Sequence, residues 1–153
     1  MEGGFMVRRK IRENNILFLC PDNSCNSQMA EAIARRLAPP ETRVFSAGLN
    51  PGTMDPAVAK VMNEVEIDVS NQRPKGLDAV PMDEIDLIIA LGEAREKFAP
   101  LAGKARVEHW TIPDPRRAGG GEAAISAVFR YVRDEIDKKV AALFLDHWRN
   151  IAH

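Results

Sequence analysis

Cysteine is scarce in this chain: there are two among 153 residues, Cys20 and Cys25, in one short stretch. Two thiols five positions apart make no disulfide framework. They point to a reducing compartment, the cytoplasm, and to thiol chemistry. Charge of one sign is lacking too. Lys plus Arg is 21 and Asp plus Glu is 22, a net charge of −1. That balance gives no ground for bulk nucleic-acid binding or a polybasic membrane anchor. No apolar run approaches the ~18 residues of a membrane span. The densest, Ile85 to Leu91, is broken by Asp86. Met1 to Asn14 has basic residues but no apolar stretch of a secretory signal. There is no internal repeat and no low-complexity tract. His109, His147 and His153 are too scattered to read as a metal site.

What is present is an ordinary globular balance, 45% apolar and 28% charged. The length suits one domain, expected over residues 15–153 behind a loose arm of residues 1–14. Ile16 to Cys20 is a short apolar run suited to a strand buried on both faces. A helix begins at Ser27, with Met29, Ile33 and Leu37 on one face and a Glu31–Arg35 pair on another. Pro39-Pro40 stops it. Arg43 to Ala47 reads as a second strand, ended by Gly48. Asp55-Pro56 reads as an N-cap and first helical position, with Val58, Val61, Met62 and Val65 behind it. Leu87 to Leu91 and Arg106 to Trp110 are the third and fourth strands, with a short helix expected at Ala94 to Phe98. A long helix follows the Gly119–Gly121 turn, its apolar face running from Ile125 to Phe144. Alternating strands and helices imply an α/β fold: a four-stranded parallel sheet with helices on both faces, in three layers. Such sheets bind ligands at the carboxyl ends of their strands.

The loop after the first strand is Cys20-Pro21-Asp22-Asn23-Ser24-Cys25-Asn26-Ser27, and it runs straight into a helix. Backbone N–H groups of such a loop, with the helix N-terminus, form an anion cradle. A cysteine at its mouth is a candidate thiolate nucleophile. The same spacing reads equally as a buried cysteine closing a core strand.

The wider stretch ILFLCPDNSCNSQMAEAIARRL resembles the phosphate loop of the low-molecular-weight protein tyrosine phosphatases and the related arsenate reductases. Their pattern is Cys-x-x-Asn-x-x-Arg-Ser, followed by a Met-Ala-Glu helix start. Ser27-Gln28-Met29-Ala30-Glu31 resembles the arsenate reductase branch in particular. The likeness continues through Ser46-Ala47-Gly48-Leu49, Asp55-Pro56, Val69-Ser70-Asn71-Gln72, Glu108-His109-Trp110 and Asp114-Pro115. The resemblance implies a nucleophile at Cys20 and a general acid at Asp114, with Pro115 shaping its loop. It implies that Asn23 braces the loop and that Ser27 hydrogen-bonds the thiolate. Asp22, Ser24, Cys25 and Asn26 complete the oxyanion-binding loop. The implied partner is a phosphate- or arsenate-type oxyanion, free or on a phosphoprotein or small phosphorylated molecule.

Three departures stand out. The loop arginine of the pattern is replaced by Asn26, so a permanently charged bidentate clamp is lost. Asp22 stands where many members have Gly. A carboxylate there repels an incoming dianion and works against a thiolate at Cys20. The segment LGEAREKFAP, Leu91 to Pro100, has no cysteine where the thioredoxin-coupled reductases carry resolving thiols. A three-cysteine relay is therefore excluded, and an arsenate reductase activity would need a small-thiol co-reductant; no other cofactor is implied. Cys25 remains a redox partner for Cys20, giving a protective switch.

Elsewhere, Gly119-Gly120-Gly121 reads as a flexible turn and Trp110 as a packing residue. Arg73, Arg95, Arg116 and Arg117 read as solvated charges by default. Arg116 and Arg117 follow the acid loop and are within reach of the mouth of the pocket as substitutes for the missing clamp. Phe144, Trp148 and Ile151, on the overhanging end of a long helix, suggest a homodimer contact. Two functions follow: a phosphatase or arsenate reductase with weak or altered activity, or an impaired oxyanion-binding or redox-sensing module on the same fold.

Overall fold

The computed structural model describes residues 14–92 and 103–152, and the side chains of 146–152 lie outside that description. Four strands form one parallel sheet: β1 (Asn15–Cys20), β2 (Arg43–Gly48), β3 (Leu87–Leu91) and β4 (Arg106–Trp110), in the order β2-β1-β3-β4. Central strand β1 is hydrogen-bonded on both sides, which is why its sequence is a continuous apolar run. The helices are α1 (Asn26–Leu37), α2 (Pro56–Asn63) and α3 (Glu122–Ala152). Asp55 caps α2 through Ala57 N–H at 2.9 Å, with Pro56 in the first turn. Asn14, read as part of the arm, is tied to the sheet: its N–H donates to Asp86 and its carbonyl accepts from Arg43. The helix expected at Ala94 to Phe98 lies outside the described residues.

The period of two along β1 divides the core. Ile16, Phe18 and Cys20 join Leu87, Ile89, Leu91 and the apolar faces of all three helices. Leu17 and Leu19 face the other way, against Ile88, Ala90, Val80 and Ile85. That second face carries two short 3₁₀ helices, Leu77–Ala79 and Met82–Glu84. Trp110 is a packing residue: its ring lies 5.9 Å from that of fully buried Phe18.

Phe144 corrects the sequence reading. It is buried with Val140 and Ile136 in the helix-side core, not exposed on an overhang. Continuing the 3.6 period kept it on the core side of α3. The surviving members of the expected dimer contact, Trp148 and Ile151, have side chains outside the described residues.

Candidate active site

Both ends of the Cys20–Ser27 loop are fixed by regular structure: β1 ends at Cys20 and α1 begins at Asn26. The segment after β2 runs alongside and holds the loop by its carbonyls. N–H groups of Asn50, Gly52 and Asp55 donate to the carbonyls of Pro21, Asp22 and Ser24 at 2.9, 2.9 and 3.1 Å. Of the loop N–H groups, that of Asn23 donates to Cys20 Sγ at 3.2 Å and that of Ser24 to Asp22 Oδ1 at 3.4 Å. Helix α1 has no side-chain cap, so its first N–H groups also lie at the loop. Gly48 is obligatory: a Cβ there would stand 2.6 Å from the backbone of Asp22 and Asn23.

Asn23 is the brace. Its φ of +54° is a left-handed conformation that asparagine tolerates better than most residues. Its Oδ1 accepts from Gln28 Nε2 at 3.0 Å and Lys75 N–H at 2.9 Å, which fixes the amide orientation. Its Nδ2 then donates to Ser27 Oγ at 2.8 Å and Ser46 Oγ at 3.0 Å. Ser27 Oγ, which accepts from Asn23, also hydrogen-bonds Cys20 Sγ, 2.7 Å away; its own hydrogen is free to serve a thiolate there. One backbone donor and one hydroxyl thus stand at the sulfur.

Behind Asn23 lies a charged cluster of which the sequence reading held only the Glu31–Arg35 pair. Glu31, read as the partner of Arg35 on a second face of the helix, keeps that pair and is buried. Its carboxylate accepts from Ser46 Oγ and from Arg35 at 2.6 Å, and Lys75 Nζ lies 3.4 Å away. Lys75 Nζ also reaches Ser46 Oγ at 3.1 Å. These partners supply hydrogen bonds to a carboxylate that is out of reach of solvent. The Met-Ala-Glu helix start pointed to Glu31; nothing in Pro74-Lys75-Gly76 pointed to Lys75.

The loop opens into a cavity of about 480 Å³ lined by Cys20, Cys25, Asn26, Asp114, Arg116 and Arg117, among others. Asn26 is turned away from the role its position suggests, because its Nδ2 donates to the carbonyl of Pro113 at 2.9 Å. Asp114 caps the 3₁₀ turn Pro115–Arg117. Both its oxygens accept from Arg116, at 2.9 Å from Nε and 2.8 Å from Nη2. Partial burial works to raise the Asp114 carboxyl. The Arg116 hydrogen bonds and charge, with Arg117 behind them, outweigh it and hold the carboxyl below its usual range.

Asp22 corrects a second expectation. It is no free repelling charge, since its Oδ2 accepts from Arg116 Nη1 at 2.6 Å. The same nitrogen donates to Ser24 Oγ at 2.7 Å. Arg116 is therefore no solvated charge. Cys25 lies beside Cys20 in the cavity lining, and burial pushes its thiol far up against the opposing charge of Arg116. Among the described residues no cluster of side chains is suited to a metal ion. None of the described helices is long and apolar enough to cross a membrane.

The sequence profile of the low molecular weight phosphotyrosine protein phosphatases matches residues 15–152. The chain belongs to that family. Within it, an arsenate reductase of Bacillus subtilis is 41% identical over 130 residues, covering 84% of this chain and 94% of its own length. An arsenate reductase of Halalkalibacterium halodurans is 40% identical over 127 residues, covering 82% and 91%. A solved arsenate reductase in the phosphate-binding state superposes with a TM-score of 0.75 at 30% identity, covering 86% of this chain and 97% of its own. A tyrosine phosphatase of Erwinia amylovora superposes at 0.67 with 25% identity, covering 88% and 92%. Phosphatase-family membership accounts for the order of the motifs as well as the sheet. It does not account for Asn26, whose contact with Pro113 belongs to this chain's own geometry.

Proposed function

We propose that this chain binds a phosphate- or arsenate-type oxyanion at the Cys20–Ser27 loop and attacks it with the Cys20 sulfur, with weak turnover. The observation that carries the reading is the pairing around the sulfur: Ser27 Oγ at 2.7 Å and Asn23 N–H at 3.2 Å. On a phosphate ester the sulfur forms an S–P bond as the P–O bond to the leaving group breaks. Asp114, once protonated, supplies that oxygen with its proton. Water then hydrolyses the thiophosphate, returning the Cys20 thiolate and inorganic phosphate. On arsenate, with no cysteine in Leu91 to Pro100 to complete a three-cysteine relay, two equivalents of a small thiol would carry the two electrons. They leave as the disulfide, with arsenite and water.

Weak turnover follows from two diversions. The Asn26 amide is neutral and spent on Pro113, and Asp114 is held as a carboxylate by Arg116. Transition-state arginines are worth about 10³–10⁵ in rate. Asn26→Arg with Asp22→Gly is therefore expected to raise aryl phosphate hydrolysis by a few orders of magnitude. Cys20→Ser in that background abolishes it. Brisk turnover by the natural chain would remove the weak-activity reading.

Redox sensing at the same loop is favoured by one observation: Cys20 and Cys25 line one cavity. Peroxide converts the Cys20 thiolate to a sulfenic acid, which condenses with the Cys25 thiol to a disulfide, releasing water. Mass mapping after peroxide is expected to find a Cys20–Cys25 link. Two unlinked, overoxidised cysteines would exclude the switch.

A further inference from the structure

Position 26 has lost its cation, yet a guanidinium touches the loop from outside. Arg116 lies 90 positions further on, after β4, and its Nη1 donates to two loop residues, Asp22 at 2.6 Å and Ser24 at 2.7 Å. Its Nε and Nη2 grip both oxygens of Asp114. Of the five N–H groups of a guanidinium, four are thus engaged, and the group lines the cavity that also holds Cys20.

We infer that Arg116 is the oxyanion-binding cation of this site, and that Asp22 and Asp114 are internal competitors which an incoming anion must displace. This rests on the oxyanion-site reading proposed above and deepens it. The chemistry is an exchange of like for like. A carboxylate and a tetrahedral oxyanion both offer a guanidinium two oxygens at the same spacing and charge sign. Two carboxylates against one guanidinium leave the cluster with a net negative charge, so a dianion gains a place only as a carboxylate leaves. Asp22 and Arg116 are then one functional unit: the carboxylate that departs from the family pattern holds the arginine that substitutes for it. Exchange has a second consequence. Transfer of Arg116 to the anion releases Asp114, which is then able to take up the proton that its acid role requires. Arg116 therefore couples binding to arming of the acid.

The test is a double-mutant cycle read by calorimetric titration with inorganic phosphate, on the full chain, with folding checked by circular dichroism. Arg116→Gln keeps an N–H donor of similar reach and removes the charge; Asp22→Asn keeps the shape and removes the competing charge. The expected result is a phosphate Kd at least tenfold weaker in Arg116→Gln and severalfold tighter in Asp22→Asn. In the Arg116→Gln background, Asp22→Asn is expected to change Kd by less than about twofold, because its only effect runs through the arginine. Arg116→Lys is expected to lie between, as a point charge without the fork. Equal phosphate affinity in Arg116→Gln and the natural chain overturns the inference. So does an undiminished gain from Asp22→Asn without Arg116, since Asp22 would then act by direct repulsion. Asn26→Arg separates the two levels. If it binds phosphate while Arg116→Gln matches the natural chain, the loop is an oxyanion site and only the Arg116 assignment falls. If none of the natural chain, Asp22→Asn and Asn26→Arg binds phosphate while folded, the oxyanion-site reading falls with it.

Discussion

Cys20 and Cys25 sit five residues apart in one loop, and their surroundings separate them chemically. The Cys20 sulfur accepts from the Asn23 N–H and hydrogen-bonds the Ser27 hydroxyl. The Cys25 thiol is only within 3.5 Å of Asn26 Oδ1, as a donor, and burial strongly favours its neutral form. The thiolate is the form that alkylates. Iodoacetamide at pH 7 is therefore expected to label one cysteine, Cys20, and to label none in Cys20→Ser; peptide mapping reads the outcome. First labelling at Cys25 would reverse the assignment. At this scale the sequence was legible for what a residue is and poor for whom it meets. Cys20, Asn23, Ser27 and Asp114 could be named as candidates because the motif is contiguous or carries a Pro signature, and the structure places them around one cavity and its loop. Lys75 was not, since a lysine in a turn has the same local signal whether solvated or placed beside a buried carboxylate.

Elements were legible from local periodicity, and their mutual anchoring was not. Helices α2 and α3 are joined by Glu64, just past the end of α2, which accepts from Arg130 at 2.8 Å and from Arg133 at 3.0 Å. Arg133 also donates to the carbonyl of Val61 at 2.8 Å, satisfying the end of α2. The Arg130 hydrogen bond, opposed by desolvation and reinforced by Arg133 and by the charge of both arginines, lowers the Glu64 carboxyl to about 2. A carboxyl depressed in the folded state contributes stability above its unfolded value and loses it as pH falls through the folded value. The contribution of Glu64 is thus present above about pH 4.5 and lost between there and about pH 2. Thermal unfolding of Glu64→Gln is expected to lie below that of the natural chain at pH 7 and to converge with it near pH 2. A constant gap across that window would show that the glutamate acts through packing. The pair escaped the sequence reading because 66 positions separate Glu64 from Arg130.

For the whole molecule, the position of Phe144 decides between two pictures of the long helix. Its 31 residues span about 46 Å at 1.5 Å per residue, which suggested an apolar overhang seeking a partner. Instead Phe144 is 5% exposed and packed into the core. Phe144→Ala is therefore expected to cost about 3–5 kcal/mol in denaturant unfolding, the range for a buried phenylalanine. A change within about 0.5 kcal/mol, as at an exposed site, would return it to the surface. The exposed large apolar residues described on α3 are Tyr131 and Leu145. At 1.5 Å per residue they lie about 21 Å apart along the axis and form no common patch. The sequence by itself determined the parallel sheet and the position of the candidate oxyanion loop. Apolar periods, caps and turn residues are short-range signals, and alternating strands and helices admit few topologies. Only the tertiary structure decided how the charges around the loop are shared. Arg116 meets Asp22 across 94 positions, Asn26 meets Pro113 across 87 and Lys75 meets Glu31 across 44. Hydrogen bonds and ion pairs act over a few ångströms, so such partners exist only once folding has brought distant segments together.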